Sequence, residues 1–185
     1  MTLFTAFGLL VAIALVGRLG QPDWNVTPLA AVALLAGYAM PSRRLAIAVP
    51  LVALTASNLV LPAYHTLAVG VAVYASFAAA ALLGRLLRRP AASRGVGLMR
   101  AVTLSAAPAV LFFVVTNFAV WASMAMYPHT PAGLADCYAA ALPFFRKMLA
   151  GDVAYTAVLL ASAAAAGAFS LRGLPRIAPN ANQAA

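Results

Sequence analysis

The chain has 185 residues, of which 65% are hydrophobic and 8% are charged, and its mean hydropathy is +0.96. Soluble domains are about half apolar and about a quarter charged, and a domain this small cannot hide so much apolar surface from water. The composition therefore excludes a soluble globular protein and predicts an integral membrane protein. In a membrane protein the net charge of +9 indicates how the spans are oriented, and we expect no nucleic-acid partner.

In chain order, apolar runs predict six membrane-spanning helices, because a span needs about 20 apolar residues. They cover residues 3–17, 26–40, 45–61, 66–87, 101–126 and 153–171. The first run has no cleavage signal, so we expect a retained helix. Residues 127–152 are only semi-apolar and rich in Pro and Gly, which predicts a loop plus a short half-buried helix. Asp152 is then the N-cap of the sixth span, or else a ligand contact. We expect one domain over 1–172 and a disordered tail over 173–185.

Basic residues indicate the orientation of these spans. With the N-terminus inside, nine basic residues lie on the inner side, and only Arg18, Arg146 and Lys147 lie on the outer side. Cytoplasmic loops carry the excess of Lys and Arg, so both termini are predicted to be cytoplasmic. All-α architecture with six transmembrane helices is the predicted fold class.

Polar and aromatic residues concentrate at the predicted outer face, which indicates either an outward-facing binding pocket or an interfacial rim. The candidate substrate-binding residues are Trp24, Asn25, Asn58, Tyr64, His65, Asn117, Trp121, Tyr127, His129, Cys137 and Tyr138. Asn58 and Asn117 lie inside apolar runs, where each would either bridge helices or contact a ligand. Trp121 shares a helix face with Asn117.

Motifs for catalysis and for metal binding are missing from the sequence. It contains no GxxxxGK[ST], GxSxG, HExxH or CxxC pattern, and the single cysteine excludes an internal disulfide. We therefore expect no enzyme, no metal and no cofactor. A membrane enzyme with Cys137 as nucleophile and His129 as base is a further alternative, and it requires the two side chains to lie within hydrogen-bond reach.

Several segments carry a resemblance to a known group of proteins. These are Trp24 to Ala31, Ser57-Asn58, Thr116 to Trp121, Met126 to Thr130 and Cys137 to Phe145. They resemble an uncharacterised bacterial family of six-helix membrane proteins, which is in turn similar to the substrate-binding (S) components of energy-coupling factor (ECF) vitamin transporters. The resemblance runs over nearly the whole chain to about Leu171.

The resemblance implies a multi-pass protein of the bacterial cytoplasmic (inner) membrane, surrounded by lipid, that binds a vitamin or cofactor precursor for uptake. The outer loops between helices one and two, three and four, and five and six would close its pocket. Its partners would be an ECF transmembrane coupling protein and ATPases, unless it acts alone as cobalamin-specific relatives do. A cobalamin-type substrate would make Cys137 or His65 a candidate cobalt ligand.

Two functions follow as expectations. In the first, substrate stacks on Trp24, Trp121 or Tyr127, contacts Asn25, Asn117, His65 and His129, and is covered by a lid over residues 127–138. In the second, the protein is a non-transporting structural subunit of a larger membrane complex. An outer cavity lined by Asn25, Asn117 and Trp121 would favour the first.

Overall fold

The fold is entirely helical over residues 2–21, 26–62 and 64–169, which are those that the computed structural model describes; this part contains no strand. Its six α-helices are α1 (Leu3–Leu19), α2 (Leu29–Ala39), α3 (Arg43–Ser57), α4 (Leu67–Gly84), α5 (Arg94–Ser123) and α6 (Pro131–Ala165), and a 3₁₀ turn at Arg85–Arg88 follows α4. The predicted all-α class is confirmed. The predicted tail over 173–185 and the candidates Trp24 and Asn25 lie outside the described residues.

Hydroxyl side chains fix where five of these helices begin. Each accepts a hydrogen bond from the backbone N–H three residues later, which satisfies one of the free donors of the first turn. These N-caps are Thr2, Ser42, Thr66, Ser93 and Thr130. Ser93 starts α5 before residue 101, where the predicted fifth span begins, and Thr130 starts α6 well before the predicted sixth span.

The prediction for residues 127–152 is wrong, because α6 is one continuous helix of 35 residues that passes through Pro143. A proline inside a helix costs one backbone hydrogen bond, and here the helix is held by packing against α5. Phe145, two residues after the proline, lies 4.6 Å from Phe113 of α5, measured between ring centroids. Asp152 consequently lies deep inside α6 and is no N-cap.

Helix α2 occupies the centre of the bundle and contacts all five other helices. Nine of its eleven residues are buried. At 1.5 Å per residue it is only about 16 Å long, whereas a bilayer core is about 30 Å thick. The described residues contain three helices that are long and apolar enough to cross a membrane, and these are Leu67–Arg88 (α4 with its 3₁₀ turn), α5 and α6.

Two glycines let α2 and α4 approach each other closely. A Cβ atom on Gly37 would lie 2.0 Å from the carbonyl oxygen of Ala81, and one on Gly84 would lie 2.0 Å from the carbonyl oxygen of Leu34. Small residues at helix contacts are typical of membrane bundles, where close backbone packing stabilises the assembly. Gly37 and Gly84 therefore fix the spacing between two helices that both contribute to the cavity described next.

Candidate functional site

A cavity of about 490 Å³ lies between the helices at the end of the bundle where α1 finishes and α2 begins. Its wall comes from the end of α1, the start of α2, the α3–α4 connection, and the middle of α4, α5 and α6. This volume lies within the range of ordinary small-molecule sites, which are mostly apolar with a few polar groups. The cavity has that character.

Aromatic rings provide part of the apolar wall. Phe77 of α4 and Phe112 of α5 both line the cavity and pack against each other with ring centroids 5.4 Å apart. Tyr64, in the α3–α4 connection, also lines it and contacts Tyr74 edge-on. Such rings offer a face on which a planar ligand can stack.

Arg18 is the positive charge of the cavity wall, and it ties α1 to the end of α3. Its Nη1 donates to Ser57 Oγ at 2.5 Å and to Asn58 Oδ1 at 3.0 Å, and its Nη2 donates to the Tyr64 hydroxyl at 3.3 Å. A cation at the C-terminal end of a helix is favoured by the helix dipole. The guanidinium therefore has a structural role, and among the described residues it has no acidic partner.

Asp152 is the acidic side chain of the wall. Its side chain is buried, with 5% of its surface exposed, in the middle of α6. Within the described residues its carboxylate makes no hydrogen bond and no ion pair. Burying a charged group without a partner is costly, so such a residue inside a membrane bundle indicates a functional role.

Three of the predicted site residues lie in or next to this cavity. Tyr64 and His65 line it. Asn58 bridges helices, because its amide accepts from Arg18 and donates from Nδ2 to the Tyr74 hydroxyl at 3.2 Å. Of the two functions weighed for Asn58, the helix bridge is the one that these hydrogen bonds describe.

The remaining predicted residues that the structure describes gather elsewhere, at the α5–α6 turn. Trp121 donates from Nε1 to the Pro128 carbonyl at 2.9 Å and contacts the ring of His129, which is exposed. Asn117 donates to the Phe113 carbonyl of its own helix, and Tyr138 donates to the Val114 carbonyl. These four residues, together with Tyr127 and Cys137, do not line the cavity.

The α5–α6 turn also lacks the features of the lid that was expected over residues 127–138. Residues 131–138 are helical, and Gly133 packs so tightly that an added Cβ would lie 2.1 Å from the Pro128 carbonyl oxygen. Cys137 is buried and its thiol donates to the Asn117 carbonyl at 3.5 Å. No group of three His, Cys, Asp or Glu side chains able to hold a metal ion occurs in the described part of the chain.

Sequence reasoning missed Arg18, Phe77 and Phe112 as cavity residues, and gave Asp152 only as a second choice. Asp152 had a usable signal, because an acid flanked by apolar residues of a membrane helix is a functional candidate by default. The phenylalanines had none, since a sequence does not say which face of an apolar helix meets which neighbour.

A second, smaller groove of about 270 Å³ lies between the first half of α5 and the second half of α6. Its wall is almost wholly apolar, and includes Ala157, Ala161 and Ala164. Thr156 also lines it, and the buried hydroxyl oxygen of this residue has no hydrogen-bond partner in the part of the chain that the structure describes. This groove is separate from the cavity that contains Asp152.

Comparisons with curated proteins and with solved structures gave no match. The model of one protein family, described as a family of unknown function (DUF6580), matches residues 1–174. That match covers nearly the whole chain, including every helix and the complete cavity wall. The chain therefore belongs to the DUF6580 family.

Proposed function

We propose that the protein is the substrate-binding component of an uptake system for a vitamin or cofactor precursor, in the manner of an ECF S component. It is a multi-pass protein of the bacterial cytoplasmic membrane, its six-helix bundle is embedded in the bilayer with the short α2 at its centre, and both termini are cytoplasmic. The observation that carries the proposal is the cavity of about 490 Å³, with its aromatic wall, its basic residue Arg18 and its acidic residue Asp152.

The distribution of arginines supports the orientation. The end of the bundle opposite the cavity carries Arg43, Arg44, Arg85, Arg88, Arg89, Arg94 and Arg100. Arg85 and Arg88 donate there to the Met40 carbonyl, which closes the end of α2. An excess of arginine marks the cytoplasmic side, so the cavity faces outward. A reporter that works only in the cytoplasm is expected to be active when it is fused to the C-terminus. Activity of a periplasmic reporter fused at the same place would contradict this orientation.

Uptake needs more than binding. The chain has no phosphate-binding loop, so energy would come from an ECF coupling protein with its ATPases, or the protein would act alone. A ligand would reach the cavity past the α1–α2 and α3–α4 connections, which supply Gln21, Thr27, Tyr64 and His65 to the wall. The α5–α6 turn is packed on itself and takes no part in this entrance.

Ligand binding is tested by thermal unfolding of the detergent-purified protein with a panel of vitamins and their precursors, including cobalamin. Compounds extracted from the denatured protein are identified by mass spectrometry. At least one compound is expected to raise the unfolding temperature. No shift with any of them, and no extracted compound, would contradict the proposal.

A cavity-filling variant shows where the ligand binds. Ala30 lines the cavity and is buried, so Ala30→Leu places three more carbon atoms there. The matched control, Ala12→Leu, adds the same atoms at an exposed position of α1. Ala30→Leu is expected to abolish the shift, and Ala12→Leu to keep it. Equal shifts in both variants would place binding elsewhere.

A second candidate function is that of a structural subunit in a larger membrane complex. It is favoured by the α5–α6 groove, whose small side chains and unpartnered Thr156 hydroxyl suit a partner helix that supplies a hydrogen-bonding group. If this is the function, Ala161→Leu breaks up the native complex on blue native gels, and no vitamin stabilises the purified protein. An unchanged complex in Ala161→Leu would contradict this second function.

A further inference from the structure

We propose that the ligand of the cavity is a small ring compound with a protonated amine, and that this amine binds the carboxylate of Asp152. The inference rests on the proposed function, and it specifies the chemical class of the substrate. The inference starts from Asp152, which lines the cavity although only 5% of its surface is exposed.

Among the described residues, no side chain pairs with the Asp152 carboxylate. Arg18, the cation of the same wall, donates to Ser57, Asn58 and Tyr64. Ser76, a hydroxyl of the wall, donates to the Ala72 carbonyl of its own helix at 2.7 Å. These two donors of the wall are therefore engaged with other acceptors, and a donor supplied by the ligand would complete the site.

A cationic donor fits this position better than a neutral one. A buried carboxylate is stabilised most by an opposite charge that also donates hydrogen bonds, and such bonds are about twice as strong as neutral ones. The aromatic pair Phe77 and Phe112 belongs to the same wall. Aromatic faces attract both cations and planar rings, so the wall accommodates the amine together with the ring that carries it.

An anionic ligand, by contrast, would face two obstacles. It would bring a second negative charge into a cavity that already contains Asp152, and like charges at close quarters are unfavourable. It would also have to compete for Arg18 with four neutral acceptors of α3 and its following connection, namely the Leu54 carbonyl, Ser57, Asn58 and Tyr64.

Matched pairs of ring compounds test the inference on the unmodified protein. We would compare benzylamine with benzyl alcohol, and pyridoxamine with pyridoxine, at equal millimolar concentration by thermal unfolding in detergent. In each pair the amine is expected to raise the unfolding temperature more than the alcohol. Equal shifts within both pairs, including the absence of any shift, would overturn the inference.

The variant Asp152→Asn shows whether this carboxylate is the group responsible. It should weaken amine binding by roughly tenfold to a hundredfold, the range expected for a hydrogen bond to a charged group. Asp136→Asn is the matched control, since Asp136 is an exposed acid of the same helix. Retained amine preference in Asp152→Asn would overturn the assignment to Asp152.

The two proposals fail in different ways. If a vitamin without an amine binds, and Ala30→Leu prevents this, the proposed function stands and the amine inference is wrong. If no compound of either panel binds, both are wrong. If Asp152→Asn does not fold, the comparison of amine with alcohol on the unmodified protein decides the inference by itself.

Discussion

Gly37→Ala is a sharp test of the close contact between α2 and α4, the two helices that supply neighbouring walls of the cavity. An ideal Cβ at this position lies 2.0 Å from the Ala81 carbonyl oxygen and 2.8 Å from the Cα of Gly84. Ordinary contacts of carbon atoms are about 3.5–4.0 Å. Because both obstructing atoms belong to backbone, the helices must separate by more than about 1 Å to admit the methyl group.

The expected cost follows from two opposing effects. Overpacking costs about 1–3 kcal/mol, and a clash with backbone belongs at the upper end. Replacing a helical glycine by alanine returns about 1 kcal/mol of helix propensity. We therefore expect Gly37→Ala to lower the free energy of unfolding by about 2 kcal/mol. Gly8→Ala is the matched control, since a Cβ on this exposed glycine of α1 would meet no atom within 4 Å.

Unfolding of the purified protein by SDS in mixed micelles measures this difference. Gly8→Ala is expected to be as stable as the unmodified protein or slightly more stable. Gly84→Ala should resemble Gly37→Ala, and the double variant should lose less than the sum of both, because either methyl group alone already separates the helices. A Gly37→Ala protein as stable as Gly8→Ala would refute the close α2–α4 contact.

Three further outcomes are expected. Arg18→Met loses the hydrogen bonds to the end of α3 and should lower the free energy of unfolding by about 1–3 kcal/mol in the same SDS titration. Arg44→Met, at an exposed position, should not lower it, and equal losses in the two variants would argue against the hydrogen bonds of Arg18. Because Trp121 does not line the cavity, Trp121→Ala should change the dissociation constant of a cavity ligand by less than about twofold in a thermal-shift titration. A tenfold loss of affinity would show that Trp121 belongs to the binding site. Thr156→Val removes a buried hydroxyl that has no partner among the described residues, so the free energy of unfolding should stay unchanged or rise by up to about 1 kcal/mol. Thr55→Val breaks a contact with the Tyr74 hydroxyl and should lower the free energy of unfolding. A loss of stability in Thr156→Val would show that its hydroxyl has a partner in the membrane.

The number of helices and their order could be predicted from hydropathy, because each helix is an apolar run of its own. The boundaries of α6 could not be predicted in the same way. Pro143 and Gly151 are typical of a broken segment, but a long apolar helix that packs against a neighbour tolerates both. The start of α6 had a readable signal in Thr130-Pro131, a hydroxyl N-cap followed by proline in the first turn.

The candidate site was only partly predictable for a different reason. Polarity near the outer face led to Tyr64 and His65, which line the cavity. The same signal also selected Asn117 and Trp121, which satisfy their donors on α5 and on the α5–α6 turn. Local composition does not distinguish a polar group that binds its own backbone from one that faces a cavity. Only the packing of α6 against α2 and α5 brings Asp152 to the wall.

The central claim is that a small molecule binds in the cavity. Native mass spectrometry of the protein released from detergent micelles tests this claim most directly. The unmodified protein and Ala12→Leu are each expected to carry one additional small molecule after incubation with the best compound of the vitamin panel, and Ala30→Leu is expected to carry none. An unmodified protein without any bound compound, or equal occupancy in Ala12→Leu and Ala30→Leu, would contradict the claim.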